Sequence, residues 1–264
     1  MTISYLEQEL AARPRIIVAL TMEEGRLVRT RQFRHPVYVG DPINAVKIFS
    51  DKGADELVLL DIGGGAFGPE KARQIREIAS EAFMPISYGG GIRSIEEVRQ
   101  LFQLGYEKVV LNTALHEDQR LAREVAAEFG SQAVVASMEV LRTRWHGPRV
   151  FYGSAKKKTN HPPRDWARRC EDAGCGELIV NSIDRDGSMK GYDLELLKEV
   201  AQAVSIPVIA LGGAGSLTHL RQGLAAGASA VAAGSIFVFH GPRRAVLITY
   251  PQNLLIHEEP PCTK

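Results

Sequence analysis

Eight short apolar runs, separated by amphipathic stretches along almost the whole chain, constrain this sequence more than any other feature. The runs are RIIVAL (15–20), ELVLLD (56–61), MPISYG (84–89), KVVLN (108–112), AVVASME (133–139), ELIVNS (177–182), IPVIAL (206–211) and AVAAG (230–234). Each is nearly uninterrupted and rich in β-branched residues or alanine, as strands buried on both faces are. Between them lie seven stretches of helical periodicity: DPINAVKIFSDKG, EKARQIREIASEA, SIEEVRQLFQLG, QRLAREVAAEFG, PRDWARRCEDAG, DLELLKEVAQAV and SLTHLRQGLAAG. Several begin on Ser or Asp and close on Gly, the chemistry of helix caps. Eight strands with helices between them predict an α/β fold, a single (β/α)8 TIM barrel closed on itself, rather than an open sheet. The 264 residues suit that fold, since one such barrel takes about 250.

The expected organisation is an N-terminal arm over 1–14, the barrel over 15–250 and a flexible, Pro-rich tail over 251–264. Residues 142–160 (RTRWHGPRVFYGSAKKKTN) are too long for a simple turn and predict a hairpin-like insertion after the fifth strand. A net charge of +1 supplies no field that would draw nucleic acid or a membrane surface. No apolar run reaches the length of a membrane span, and the start MTISYLEQELAARPR does not read as a signal peptide. Cys170, Cys175 and Cys262 have no His or second Cys pair at metal-ligand spacing, so Cys170 and Cys175 read as packing residues of a reduced, cytoplasmic protein. The seven histidines are scattered, mostly where surface or loops are expected, so neither a metal nor a cofactor is expected.

The two halves of the chain repeat. Pro85–Thr113 aligns without gaps on Pro207–Ser235, at a shift of 122 positions, pairing Gly90 with Gly212, Gly91 with Gly213, Ser94 with Ser216, Arg99 with Arg221 and Gly105 with Gly227. This predicts duplicated half-barrels with duplicated loop functions on opposite sides of the mouth. Each half carries a strand running into glycines and then a helix, ISYGGGIRSIEE and IALGGAGSLTHL, and each following strand ends in a small polar loop, LNTA (111–114) and AGSI (233–236). Glycines let the backbone approach an anion and a helix N-terminus adds a favourable dipole. The pair therefore predicts two phosphate cradles for a phosphorylated small molecule. The KKKT run (156–159) lies where it could close over such a ligand or simply be solvated, and Asp184 reads as a brace of its turn.

DELVLLDI, YGGGIRSIEE, KVVLNTA, FGSQAVV, NSIDRDGSMKGYD, GGAGS and AAGSIF resemble the cyclase/synthase subunit of imidazole glycerol phosphate synthase (HisF), a barrel of ribulose-phosphate-binding type, over about residues 15–240. The resemblance implies one phosphate on Gly91, Asn112 and Thr113 and another on Asp186, Gly187, Gly213, Gly234 and Ser235. It implies a general acid/base pair formed by Asp186 and an Asp at the end of the first strand, chemistry that needs one group to take a proton and one to give it. Here the first-strand position is Thr21, a family Lys becomes Arg29, and the Asp at the end of the fifth strand becomes Glu139. Thr cannot act as a base near neutral pH, and Arg stays protonated. Asp61, at the end of the second strand, is a further mouth carboxylate, catalytic or structural.

FRHPVYVGDPINAVKIFSDKGADELVLLDI and FVFHGPRRAVLITYP look closest to the HisF-like branch of surface-polysaccharide gene clusters, although DIGGGAFGPEK departs from that branch. Four strands begin on charged residues, Arg15, Glu56, Lys108 and Glu177, which could neutralise one another as a ring. The resemblance makes them the gate by which ammonia enters from a docked glutaminase. The implied function is a HisF-like synthase subunit of a glutamine-dependent amidotransferase complex. Its implied partners are a HisH-like glutaminase and an ATP-dependent sugar amidotransferase that amidates a surface-polysaccharide sugar. The alternatives are a genuine imidazole glycerol phosphate synthase cyclase (a lyase of histidine biosynthesis) with an altered acid/base pair, and a non-catalytic phosphate-binding scaffold.

Overall fold

The computed structural model describes residues 14–64, 67–241 and 243–251. All but Pro14 of the expected arm and all but Pro251 of the expected tail lie outside these residues. In chain order the elements are β1 (Arg15–Glu23), β2 (Arg26–Arg31), β3 (Arg34–Gly40), α1 (Pro42–Asp51), β4 (Glu56–Asp61), α2 (Pro69–Ser80), β5 (Ile86–Gly89), α3 (Ile95–Gln103), β6 (Lys108–Leu111), α4 (Thr113–Glu117) and α5 (Arg120–Phe129). They continue with β7 (Val134–Thr143), β8 (Gly147–Tyr152), β9 (Lys157–Lys158), α6 (Pro163–Asp172), β10 (Glu177–Ser182), α7 (Leu194–Ala201), β11 (Val208–Leu211), α8 (Leu217–Ala225), β12 (Ala230–Ala233), α9 (Ser235–Val238), β13 (Phe239–His240) and β14 (Ala245–Val246).

All eight apolar runs are strands, paired parallel in the cyclic order β1-β4-β5-β6-β7-β10-β11-β12 and back to β1, so the sheet has no open edge. The caps read from the sequence also form. Ser94 and Glu97 make a reciprocal capping box at the start of α3, and Asp41, Asp193 and Ser216 each accept a backbone N–H in the first turn of their helices.

Alternation along each strand separates two apolar layers. Val18, Leu20, Leu57, Leu59 and Tyr88 face the helices in the outer layer, while Ile17, Ala19, Val58, Val110, Ile179 and Ala230 meet inside the barrel. Cys170 and Cys175 are free and buried against the outer layer, as expected of packing residues. No helix among the described residues is long and apolar enough to cross a membrane.

Each half adds a hairpin at the mouth. The insertion after β7 is one: β8 pairs antiparallel with β7, and β9 with β8. His116 on α4 secures it, stacked between Tyr152 and Trp166 at centroid distances of 4.4 and 3.8 Å, and burial drives its pKa down to about 4. The other hairpin is not anticipated in the sequence. β1 continues past the expected strand to Glu23, turns through Glu24 and Gly25, both at positive φ, and pairs with β2, which pairs with β3. A two-residue turn of that kind suits the twist of a hairpin.

Candidate functional site

Inward-facing positions put charge at both ends of the lumen and apolar side chains between them. At the floor, Arg15, Glu56, Lys108 and Glu177 form a closed ring. Arg15 binds Glu56 through Nη1 and lies 2.8 Å from Glu177 through Nη2, and Lys108 Nζ lies 3.0 Å from each carboxylate. Each cation bridges both anions, so the ring is neutral. The Glu56 side chain is 5% exposed and that of Arg15 32%, which makes the ring the boundary between lumen and solvent. Burial works against the Arg15 charge, but the two carboxylates outweigh it and hold its pKa above the usual value.

The opposite end opens into a cavity of about 870 Å³. Its lining includes Thr21, Asp61, Gly91, Asn112, Thr113, Glu139 and Asp186, so the structure brings these expected site residues together. Thr21 and Glu139 occupy equivalent places in the two halves. Each is an inward residue near the end of its half's first strand, at the base of a hairpin, in register with Val28 and Phe151 respectively.

Glu139 is 8% exposed, and desolvation raises its pKa to about 7 against the opposing backbone N–H groups of Ala155 and Ser154. The Ala155 N–H donates to Glu139 Oε2 at 2.7 Å, and the Gly153 N–H donates to Asn112 Oδ1 at 3.0 Å. The turn aims these donors by holding Gly153, Ser154 and Ala155 all at positive φ, uncommon for the last two and typical of a site whose backbone is constrained by its use. Asp186 also has a raised pKa, mainly through desolvation. It accepts from Thr30 Oγ1 at 2.9 Å and from the Phe33 N–H at 3.2 Å, and Arg29 lowers its pKa through space.

Asp61 differs from the other two carboxylates. Inward positions on β4 are Glu56, Val58 and Leu60, so the Asp61 side chain, although the residue still borders the mouth cavity, leaves the lumen axis towards the helices. There it pairs with Lys71 at 2.7 Å and accepts from Tyr88 Oη at 3.0 Å and the Gly63 N–H at 3.1 Å. Asp184 braces the end of β7 rather than its own turn, accepting the Arg142 N–H at 2.8 Å. Of the lysine run, Lys156 lines the cavity.

The two glycine cradles are not equivalent. Gly91 is exposed and Asn112 and Thr113 are partly exposed to the cavity, whereas Gly187, Gly213 and Gly234 are buried. Neither these three nor Ser235 line the cavity. The first hairpin causes the difference, because it reaches across the mouth to the loop after β10. The Gln32 N–H donates to the Asp186 carbonyl at 3.1 Å, and Thr30 approaches Gly187 so closely that a Cβ there would collide with its carbonyl. Arg29, carried by the same hairpin, donates to the Ala19 carbonyl and lies against Gly234. Burial lowers its pKa to about 10, opposed by Asp186, so it stays charged near neutral pH. Thr30, the 153–155 turn and Lys71 escape sequence reasoning, since only tertiary contacts give them a role. Among the described residues no cluster of His, Cys, Asp and Glu could hold a metal ion.

The family model for histidine biosynthesis protein matches residues 15–242. The chain belongs to this family. It is 48% identical over 241 residues to a Pseudomonas aeruginosa protein provisionally named imidazole glycerol phosphate synthase subunit hisF2, covering 90% of this chain and 96% of that protein. A Leptospira interrogans protein, provisionally named imidazole glycerol phosphate synthase subunit HisF, is 42% identical over 246 residues, 90% of this chain and 95% of its own. The Streptomyces coelicolor imidazole glycerol phosphate synthase subunit HisF is 40% identical over 226 residues, 85% and 90% of the two chains.

Two expectations follow for this member of the family. Glu56→Gln removes one anion from the ring and leaves two partly buried cations, Arg15 and Lys108, sharing Glu177. Urea denaturation should then show a loss of about 3 kcal/mol, and a loss near zero would mean the ring is merely solvated. Glu139 binds its proton more tightly folded than unfolded, so the native state loses stability as pH rises from about 4.5 to about 7. Glu139→Gln should therefore be more stable than the wild type at pH 8, by up to about 3 kcal/mol, with the difference fading towards pH 4. A pH-independent difference would contradict the raised pKa.

Proposed function

We propose that this chain is the synthase-type subunit of a glutamine-dependent amidotransferase complex. It receives ammonia at the barrel floor from a HisH-like glutaminase and holds a phosphate-bearing ligand at the mouth. The nitrogen goes to a surface-polysaccharide sugar, with an ATP-dependent sugar amidotransferase as the third component, in the cytoplasm. The phosphate anchors on Gly91, Asn112 and Thr113, while Gly187, Gly213, Gly234 and Ser235 form the matched second cradle. Asp186 and Glu139 are the proton-transfer groups beside them.

The observation that carries this reading is the neutral four-charge ring beneath an apolar lumen. Buried ion pairs are a poor source of stability, so four of them around one axis at the floor favour a use beyond folding. The lumen above, with Ile17, Ala19, Val110, Ala230 and Ala232, suits a small neutral molecule and penalises a cation. That discriminates ammonia from ammonium. The relatives named as imidazole glycerol phosphate synthase subunits support a complex of this type. The test is co-expression with a glutaminase encoded beside the gene. The two chains should copurify, and the barrel should accelerate glutamine hydrolysis. Failure of both would overturn the reading.

A second reading has its own support. Glu139, with a pKa near 7, is suited to move a proton at neutral pH, and Asp186 shares its cavity. The pair could run the cyclase reaction of imidazole glycerol phosphate synthase without a carboxylate at position 21. Ammonia-dependent turnover of the ribulose-type substrate, abolished by Glu139→Gln, would establish that reaction. No turnover at saturating ammonia would exclude it.

A further inference from the structure

We propose that Arg29 closes the second glycine cradle, so that the mouth takes a ligand carrying one phosphate rather than two. The proposal rests on the phosphate reading of the mouth given above and narrows its substrate class.

Duplication makes the two cradles equivalent in sequence: Gly91 matches Gly213, Asn112 matches Gly234 and Thr113 matches Ser235 at the same shift of 122. Each half's hairpin also leans on the cradle of the neighbouring half, but with opposite effect. The hairpin after β7 leaves the first cradle open: the Gly153 N–H holds Asn112 by its side chain, and Gly91 and Thr113 line the cavity together with Lys156. The hairpin after β1 brings a guanidinium to the second. Arg29 lies against Gly234 so closely that any Cβ there would overlap it, so glycine at 234 makes room for the protein's own cation. Gly213 packs against the loop after β10 through its Cα face: a Cβ there would collide with the Gly191 carbonyl and lie 2.9 Å from Arg185 Cβ, and the Gly191 N–H donates to the Gly213 carbonyl at 2.8 Å.

A phosphate could reach Gly213, Gly234 and Ser235 only by displacing Arg29 from the Ala19 carbonyl and from the field of Asp186. Arg29 and Asp186 therefore neutralise each other at this end of the cavity, and the first cradle is left as the anion anchor.

The test compares ribose 5-phosphate, with one phosphate, and ribulose 1,5-bisphosphate, with two, by titration calorimetry on the full chain. The wild type should bind the two within about threefold of each other. Arg29→Ala and the bulkier Arg29→Met should leave the monophosphate unchanged and tighten the bisphosphate by about tenfold or more. Wild-type protein that prefers the bisphosphate by tenfold or more, with that preference lost in both variants, would overturn the proposal and make Arg29 a ligand of a second phosphate. Binding of neither compound, or binding untouched by Thr113→Glu, would instead sink the phosphate reading of the first cradle and this proposal with it.

Discussion

Closing eight parallel strands on themselves gives every strand one face inside a cylinder, and the rest of the molecule depends on that constraint. With no sheet edge, each strand must satisfy both faces at once. The outward set packs beneath the helices. The inward set shares a narrow lumen, where polar groups survive only if paired or close to an end. The floor meets this demand with a ring in which two cations and two anions bridge one another. The mouth meets it less completely. Glu139 and Asp186 are held by hydrogen bonds and through-space charge rather than by salt bridges, and burial raises the pKa of both. The same alternation leaves the charges paired at one end of the barrel and without salt bridges at the other, the asymmetry on which the proposed inlet and reaction end rest.

Much of this was legible in the sequence, for identifiable physical reasons. The eight runs stand out because strands buried on both faces cannot afford polar interruptions. The ring residues stand out because each directly precedes or opens such a run. The first hairpin was not legible: RLVRTR and RHPVYV are short and interrupted by charge or proline, and their partner strand lies beyond a run that already looked complete. The Glu24–Gly25 pair was the available signal. Asp61 was readable in principle, since counting by twos from Glu56 turns it away from the lumen. The burial of the second cradle was not, because Gly91 and Gly213 sit in matching local sequence. What separates the two cradles is tertiary: Gly213 packs against the loop after β10, and Arg29, carried by the hairpin of the opposite half, lies against Gly234.

The two halves of this barrel differ most at the mouth. One half kept an acid at Glu139 and an open glycine cradle. The other carries Thr21 in the equivalent place, with Arg29 covering Gly234. Anomalous diffraction from crystals soaked in arsenate, a heavier analogue of phosphate, tests that asymmetry directly. One anion per chain is expected, beside Gly91, Asn112 and Thr113. A second anion of comparable occupancy against Gly213, Gly234 and Ser235 would contradict it.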